Sequence, residues 1–540
     1  MVNRFYIVML TIASALVSAA MPRIWAQGLP GRSQEPLAAR VARQAAVEID
    51  KQFEAVWREA GVEPLAPAES LAVARRLSLA LCGTVPSLEE IRWIERQPAE
   101  TAIDAYLERL LSDRRFADYM AERLARAYVG TSDGPFLVYR RRRFVYWLSD
   151  QLDGNRPYDD LVHEIISAEG LWTDKPATNF ITARVIENEG PDPLALAART
   201  TRSFLGVRID CAQCHDHPFA DWKQRDFEGL AAFFAQAKQT FRGIEEQPGD
   251  LEIEDAKTKE KRHVEPQIPF AEELLPNSGG RRQQLASWIT EAKVKQGPDG
   301  ESHDYFAEAI ANRVWTLLFG QGICEPVDDL ESDRRVPGVL EKLGEDFRAN
   351  GADLRRLIRV IASTRAFRIS SGTGSDVSDD QERLYAAFPM TRLRSEQIAG
   401  SLVQASSLQT VDADSHILVR ATRFFNTIDF IKNYGDAGEE ELNAHMGTIP
   451  QRLVMMNGKM PRERVQASPF NSAGRIARLS PSDESRVRTT YLVALTRLPT
   501  TEEESHFVSG LRELNSQNKH LGVEDLLWVL FNSTEFSWNH

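Results

Sequence analysis

From Leu71 onward, apolar residues recur every three to four positions, the spacing that places them on one face of an α-helix. The pattern predicts helices over Ile103–Leu111, Tyr119–Tyr128, Phe144–Leu152 and Tyr158–Ile166. After a break it resumes over Gln283–Ala292, Tyr305–Leu318, Val339–Arg348 and Leu354–Ser363. Strictly alternating apolar and polar runs flanked by Asn-Gly or Asp-Gly turns are rare, so few hairpins are expected. The fold class read from the pattern is mostly α: two helical domains joined by a charged linker.

Local signals sharpen the helix ends. Ser87 with Glu90 and Thr500 with Glu503 are capping boxes. In each, the hydroxyl accepts from the third helical N–H and the carboxylate reaches back to the cap N–H. Three short strings, Ser112…Phe116, Ser363…Phe367 and Asn532…Phe536, read as shared helix-capping grammar rather than internal duplication.

Residues 1–26 carry Arg4, an apolar run from Phe5 to Ala20 and small residues at Ala19 and Ala26, the pattern of a cleaved secretory signal. The run is short for a membrane span, which takes about 20 apolar residues. The expected location is outside the cytoplasm, in the periplasm or at the cell surface, with no integral membrane segment after cleavage. Residues 27–66 read as a tether leading into a helix near Arg40 to Ala60. The expected organisation continues with an N-terminal domain over 67–240, a charged linker over 241–280 and a C-terminal helical domain over 281–540. The stretch Glu245 to Arg262 is rich in both charge signs and free of aromatic residues, which reads as solvated.

The 540-residue chain has a formal net charge of −13, which argues against nucleic acid as a partner because phosphate binding needs a basic face. The basic run Arg140–Arg143 reads as a solvated helix face, with an anion or haem propionate as the competing reading. Four cysteines are too few for a disulfide scaffold. Cys82 and Cys324 lie in apolar contexts and read as buried free thiols.

Cys211-Ala212-Gln213-Cys214-His215 is a complete C-x-x-C-H. This spacing suits covalent haem c: the two thiols add to the porphyrin vinyl groups and the adjacent histidine ligates iron. Export agrees with it independently. Competing readings are a redox or structural disulfide between Cys211 and Cys214, and zinc held by Cys211, Cys214 and His217. A zinc deaminase is rejected, since His263-Val264-Glu265 follows the cysteine pair and no proline precedes Cys211. A sixth iron ligand would come from Met446, Met455, Met456, Met460, His163 or His445, unless the iron is five-coordinate. Nucleophile elbows, P-loops, dinucleotide fingerprints and H-E-x-x-H are absent.

Several strings together resemble the planctomycete cytochrome-c-like family of exported proteins, which pairs domain-of-unknown-function families 1549 and 1553. They are Arg75 to Glu90, Phe204-Leu205-Gly206 leading into Cys211 to Phe219, Asn312 to Trp315, Glu325 to Asp329, Arg392 to Ile398, Phe425 to Asp429, Pro450-Gln451 and Asp525 to His540. Arg334 to Leu340 departs from that family's Ser-His-Pro-Glu-Leu string. The resemblance implies a helical two-domain architecture and cytochrome character. Through relatives associated with exported sulfatase-like proteins, it also implies a sulfatase-like partner and an accessory role in polymer degradation. The expected function is electron transfer or redox sensing with an unidentified redox partner. The rival class is a non-haem scaffold or binding module built on zinc or a disulfide, and a third is a metal-dependent hydrolase on the same cluster.

Overall fold

A computed structural model describes residues 37–132, 139–186, 190–216, 222–254, 259–291, 303–372, 377–412, 415, 427–436, 438 and 447–540. The predicted signal segment, residues 1–26, lies outside them. The chain is mostly helical, as the apolar periodicity predicts. Among the described residues the strands form only two-stranded antiparallel ladders.

The helix expected near Arg40–Ala60 spans Leu37–Ala60 and buries Ala39, Ala42, Ala46, Ile49, Phe53 and Trp57. These positions form one helical stripe, and Trp57 Nε1 donates to the Leu384 carbonyl at 2.8 Å. This part of the expected tether is therefore packed into the core. Both predicted capping boxes form, at Ser87/Glu90 and Thr500/Glu503. In the three shared strings, the residue after Ser112, Ser363 or Asn532 turns the chain. Asp113 and Thr364 cap the following helices through their side chains, and Ser533 Oγ accepts from Phe536 N.

The charged stretch is more structured than its composition suggests. Ala237–Thr240 pairs with Gly243–Glu246, and Leu251–Glu254 pairs with Lys261–Val264. Leu251 and Val264 face each other across the second ladder and are buried. Gly243 is required: its φ is +104°, and a Cβ there would lie 2.1 Å from the Gly170 carbonyl oxygen. That contact lets Gly170 and Ile244 exchange two backbone hydrogen bonds of 2.8 and 3.0 Å. Residues Ala38–His540 form one compact unit, and a continuous apolar cluster runs from Ala42 to Phe388 across the 241–280 segment. A second cluster gathers Leu79 and Val85 with residues Leu393 to Phe536. The change of core thus falls near residue 390, where the chain leaves the first cluster, and not in the charged stretch. Hydrophobic burial defines that change, whereas local charge marks only which surface faces water.

Two adjacent arginines fasten these clusters. Arg75 and Arg76 lie on the Ser70–Cys82 helix with side chains fully buried. Arg75 donates to the carbonyls of Ala494 and Phe536. Arg76 donates to the carbonyls of Phe367, Ile369 and His540 and to Ser371 Oγ, at 2.7–3.1 Å. Its guanidinium also lies 3.8 Å from the Phe388 ring centroid. A planar, always-charged fork satisfies several carbonyls at once, which a lysine ammonium cannot match geometrically.

Candidate functional site

The helix Pro193–Thr200 widens into a π turn over Thr201–Leu205 and stops at Gly206, whose φ is +62°. A Cβ on Gly206 would come within 2.9 Å of Leu330. The chain then enters a 3₁₀ turn, Ile209–Gln213, which carries the C-x-x-C-H. Ile209 and Ala212 point inward and are fully buried, while Cys211, Cys214 and His215 are exposed. The small apolar residue between the cysteines anchors the turn, and the chemically active side chains face outward.

Cys211 and Cys214 are free thiols. The His215 Nδ1 lies 2.7 Å from the Asp216 carbonyl oxygen. A carbonyl only accepts, so Nδ1 carries a proton, and the ring is oriented as in a ligating histidine whose Nδ1–H is held by the backbone. Asp216 is itself held: its Oδ1 accepts from Gln224 N at 3.0 Å, and Lys223 Nζ lies 3.6 Å from its other oxygen.

The turn is braced by distant sequence. Arg208, just before it, donates to Asp328 Oδ1 through Nε and Nη2 at 2.9 and 2.6 Å. Arg202 Nε donates to Asp210 at 2.6 Å. Trp222 Nε1 donates to Glu331 Oε1 at 2.7 Å, and Leu330 N donates to the Gly206 carbonyl at 2.8 Å. The brace, residues 328–331, is itself positioned by Asn312. The Asn312 amide donates to the carbonyls of Cys324 and Val327 and accepts from Cys324 N. The Asn312–Trp315 and Glu325–Asp329 strings singled out in the sequence thus support the cysteine turn from the far side of the charged stretch. Sequence reading did not foresee this pairing, because Arg208 and Asp328 lie 120 residues apart in the chain.

The remaining predicted groups are dispersed. His217, Met446 and His445 lie outside the described residues. Met455 and Met460 are buried in the second apolar cluster, whereas Ala212 belongs to the first. Met456 is exposed. His163 sits beside Ser287, with Nε2 3.3 Å from its hydroxyl. Cys82 and Cys324 are buried free thiols as expected. Burial pushes the Cys324 thiol up to about 12, and its Sγ faces the carbonyls of Asp329 and Ser332. In the basic run, Arg142 and Arg143 are exposed, but Arg141 is buried and forks onto Glu122 at 3.0 and 2.8 Å.

Among the described residues, the one group of His, Cys, Asp or Glu ligand atoms gathered within 4.8 Å of one another is His303, Glu308 and Glu341. Sequence reading missed it. Its centre is taken by Arg334, which donates to Glu308 at 2.8 Å and to Glu341, and lies 3.2 Å from His303 Nδ1. A guanidinium there already neutralises the carboxylates, so the group is a buried ion network. Cys211, Cys214 and His215 are not gathered in that way. The zinc set of Cys211, Cys214 and His217 includes a residue outside the described ones. Haem c takes its sulfurs at the ring edge and its imidazole at the iron. Two free, exposed thiols and an exposed imidazole held at Nδ1 fit that donor set.

Residues 48–239 match the family PSCyt2, described as a protein of unknown function (DUF1549), and residues 281–423 match PSD1, described as a protein of unknown function (DUF1553). No curated protein and no solved structure matches the chain.

Proposed function

From the premise that this chain belongs to the family pairing DUF1549 with DUF1553, we propose that it is an exported c-type haem protein acting in electron transfer or redox sensing. Cys211 and Cys214 would anchor the ring and His215 would ligate the iron. The observation that carries this reading is the His215 ring held at Nδ1 by the Asp216 carbonyl, beside two exposed free thiols on the same turn. Haem supplies one-electron chemistry when bound, and its exposure and axial ligation set the potential. Exposure of the turn suits transfer to a partner protein, because an edge open to solvent is an edge a partner can approach. No helix among the described residues is long and apolar enough to cross a membrane. Export itself rests on the pattern of residues 1–26, and N-terminal sequencing of native protein is expected to begin after Ala19 or Ala26. An intact Met1 would refute cleavage.

The test is expression in a host that attaches haem to exported proteins. The double variant Cys211→Ala, Cys214→Ala is expected to lose covalent haem staining, and His217→Ala is expected to keep it. Stoichiometric zinc without a Soret band, lost on changing His217, would replace this reading with the zinc scaffold. Absence of both metals, with Cys211 and Cys214 joined, would leave a disulfide module.

A further inference from the structure

A cavity of about 310 Å³ is lined by none of Cys211, Cys214 and His215. Its polar lining residues are Arg392, Arg452, Tyr434, Thr448, Thr534 and Ser537. None of its described lining residues is Asp or Glu. That is unusual in this molecule, where Arg141, Arg208, Arg348, Arg356, Arg359 and Arg497 all fork onto carboxylates.

Two arginines, Arg392 and Arg452, line this cavity. Arg392 Nη2 donates to the Tyr434 hydroxyl at 2.9 Å. Arg452 lines the same cavity, and burial raises the Tyr434 phenol above its ordinary value against the pull of the Arg392 and Arg452 charges. Gly447 makes room for this: a Cβ there would meet Arg392 Nη1 at 2.2 Å. Arg392 pairs directly with Trp538 across the short ladder Thr391–Arg392 and Trp538–Asn539, so their side chains share one face. Trp538 is 36% exposed and Ile449 is 78% exposed, which leaves an aromatic and an apolar surface at the cavity's rim. The Ile449–Asn457 helix begins here, capped by Thr448, and its positive end adds to the field.

We propose that this cavity binds a small organic oxyanion, a carboxylate or phosphate-type ester carrying a ring or short apolar body. The two guanidinium groups and hydroxyls take the anionic head, since planar arginine forks match oxyanions. Trp538 and Ile449 cover the body. The site is independent of haem attachment at Cys211 and Cys214.

Calorimetric titration of the full chain with phenyl phosphate, benzoate and inorganic phosphate tests this. Phenyl phosphate is expected to bind one per chain. Arg452→Gln, an exposed change, is expected to weaken it at least tenfold, as is Arg392→Gln. Trp538→Ala is expected to weaken phenyl phosphate and benzoate while sparing inorganic phosphate. Arg225→Gln, an exposed arginine elsewhere, is expected to change nothing. If Arg392→Gln does not fold by circular dichroism, Arg452→Gln decides alone. Lack of saturable binding by every probe, or binding that Arg452→Gln leaves intact, would overturn the proposal.

Discussion

Arg76→Met isolates the contribution of a fully buried cation. In the native fold, Arg76 donates to four acceptors: the carbonyls of Phe367, Ile369 and His540, and Ser371 Oγ. Hydrogen bonds from a charged donor contribute about 1.5–3 kcal/mol each, so the gross contribution is about 6–12 kcal/mol. Burial opposes it, pushing the Arg76 pKa from 12.5 down to about 9. At about 1.4 kcal/mol per pKa unit, that desolvation costs about 5 kcal/mol. The surplus is centred near 4 kcal/mol, in line with the about 3–5 kcal/mol lost when one partner of a buried charged network is removed. Methionine fills much of the same volume but leaves the three carbonyls without their donor. The assay is urea unfolding followed by circular dichroism, with native-state hydrogen exchange across residues 365–371 and 536–540. The expected result is a loss of about 4 kcal/mol with early exchange in both segments. A variant within about 0.5 kcal/mol of the parent would refute the claim that Arg76 ties these segments together.

Further expectations concern acid stability, capping and the braced turn. Burial, then the nearby Arg75 guanidinium, lowers the His540 pKa from 6.5 to about 4. The folded state therefore holds the neutral ring, and this stabilisation, complete above pH 6.5, is lost as pH falls toward 4. The loss is at most about 3 kcal/mol, and His540→Gln is expected to flatten the stability profile in that window. Burial pushes Glu396 upward, but the Arg123 and Arg394 guanidinium groups hold it below its ordinary 4.5. Glu396→Gln is thus expected to reduce the further loss of stability below pH 4.5, measured by thermal melts across pH 3–6. Thr500→Ala removes the side-chain cap of the Thr501–Glu513 helix and is expected to cost about 1 kcal/mol in urea unfolding. Asp328→Asn removes the charge that holds Arg208. It is expected to reduce covalent haem yield severalfold with little change in circular dichroism.

Helices were legible because their stripes are local. The capping boxes at Ser87 and Thr500 and the buried stripe of Leu37–Ala60 follow from spacing alone. The hairpins of the charged stretch were not, because Ile244 is held by a non-local exchange with Gly170 and the flanking residues are polar. The partition of the core was also hidden. Arg75 and Arg76 read as polar positions on an apolar helix, yet their acceptors lie some 290 to 460 residues away in sequence. The C-x-x-C-H was fully legible as a string. Its brace was not, since the partners Asp328 and Glu331 lie 120 and 109 residues from Arg208 and Trp222.

Haem attachment at Cys211, Cys214 and His215 decides the function proposed for this protein. Its most direct test is the visible spectrum of the purified chain after acid–acetone extraction, from a host that attaches haem outside the cytoplasm. Haem joined through two thioethers resists that extraction, so a Soret band that stays with the polypeptide, and disappears in the Cys211→Ala, Cys214→Ala variant, is the predicted result. A chain of full mass and native circular dichroism that carries no Soret band from that host would contradict the account.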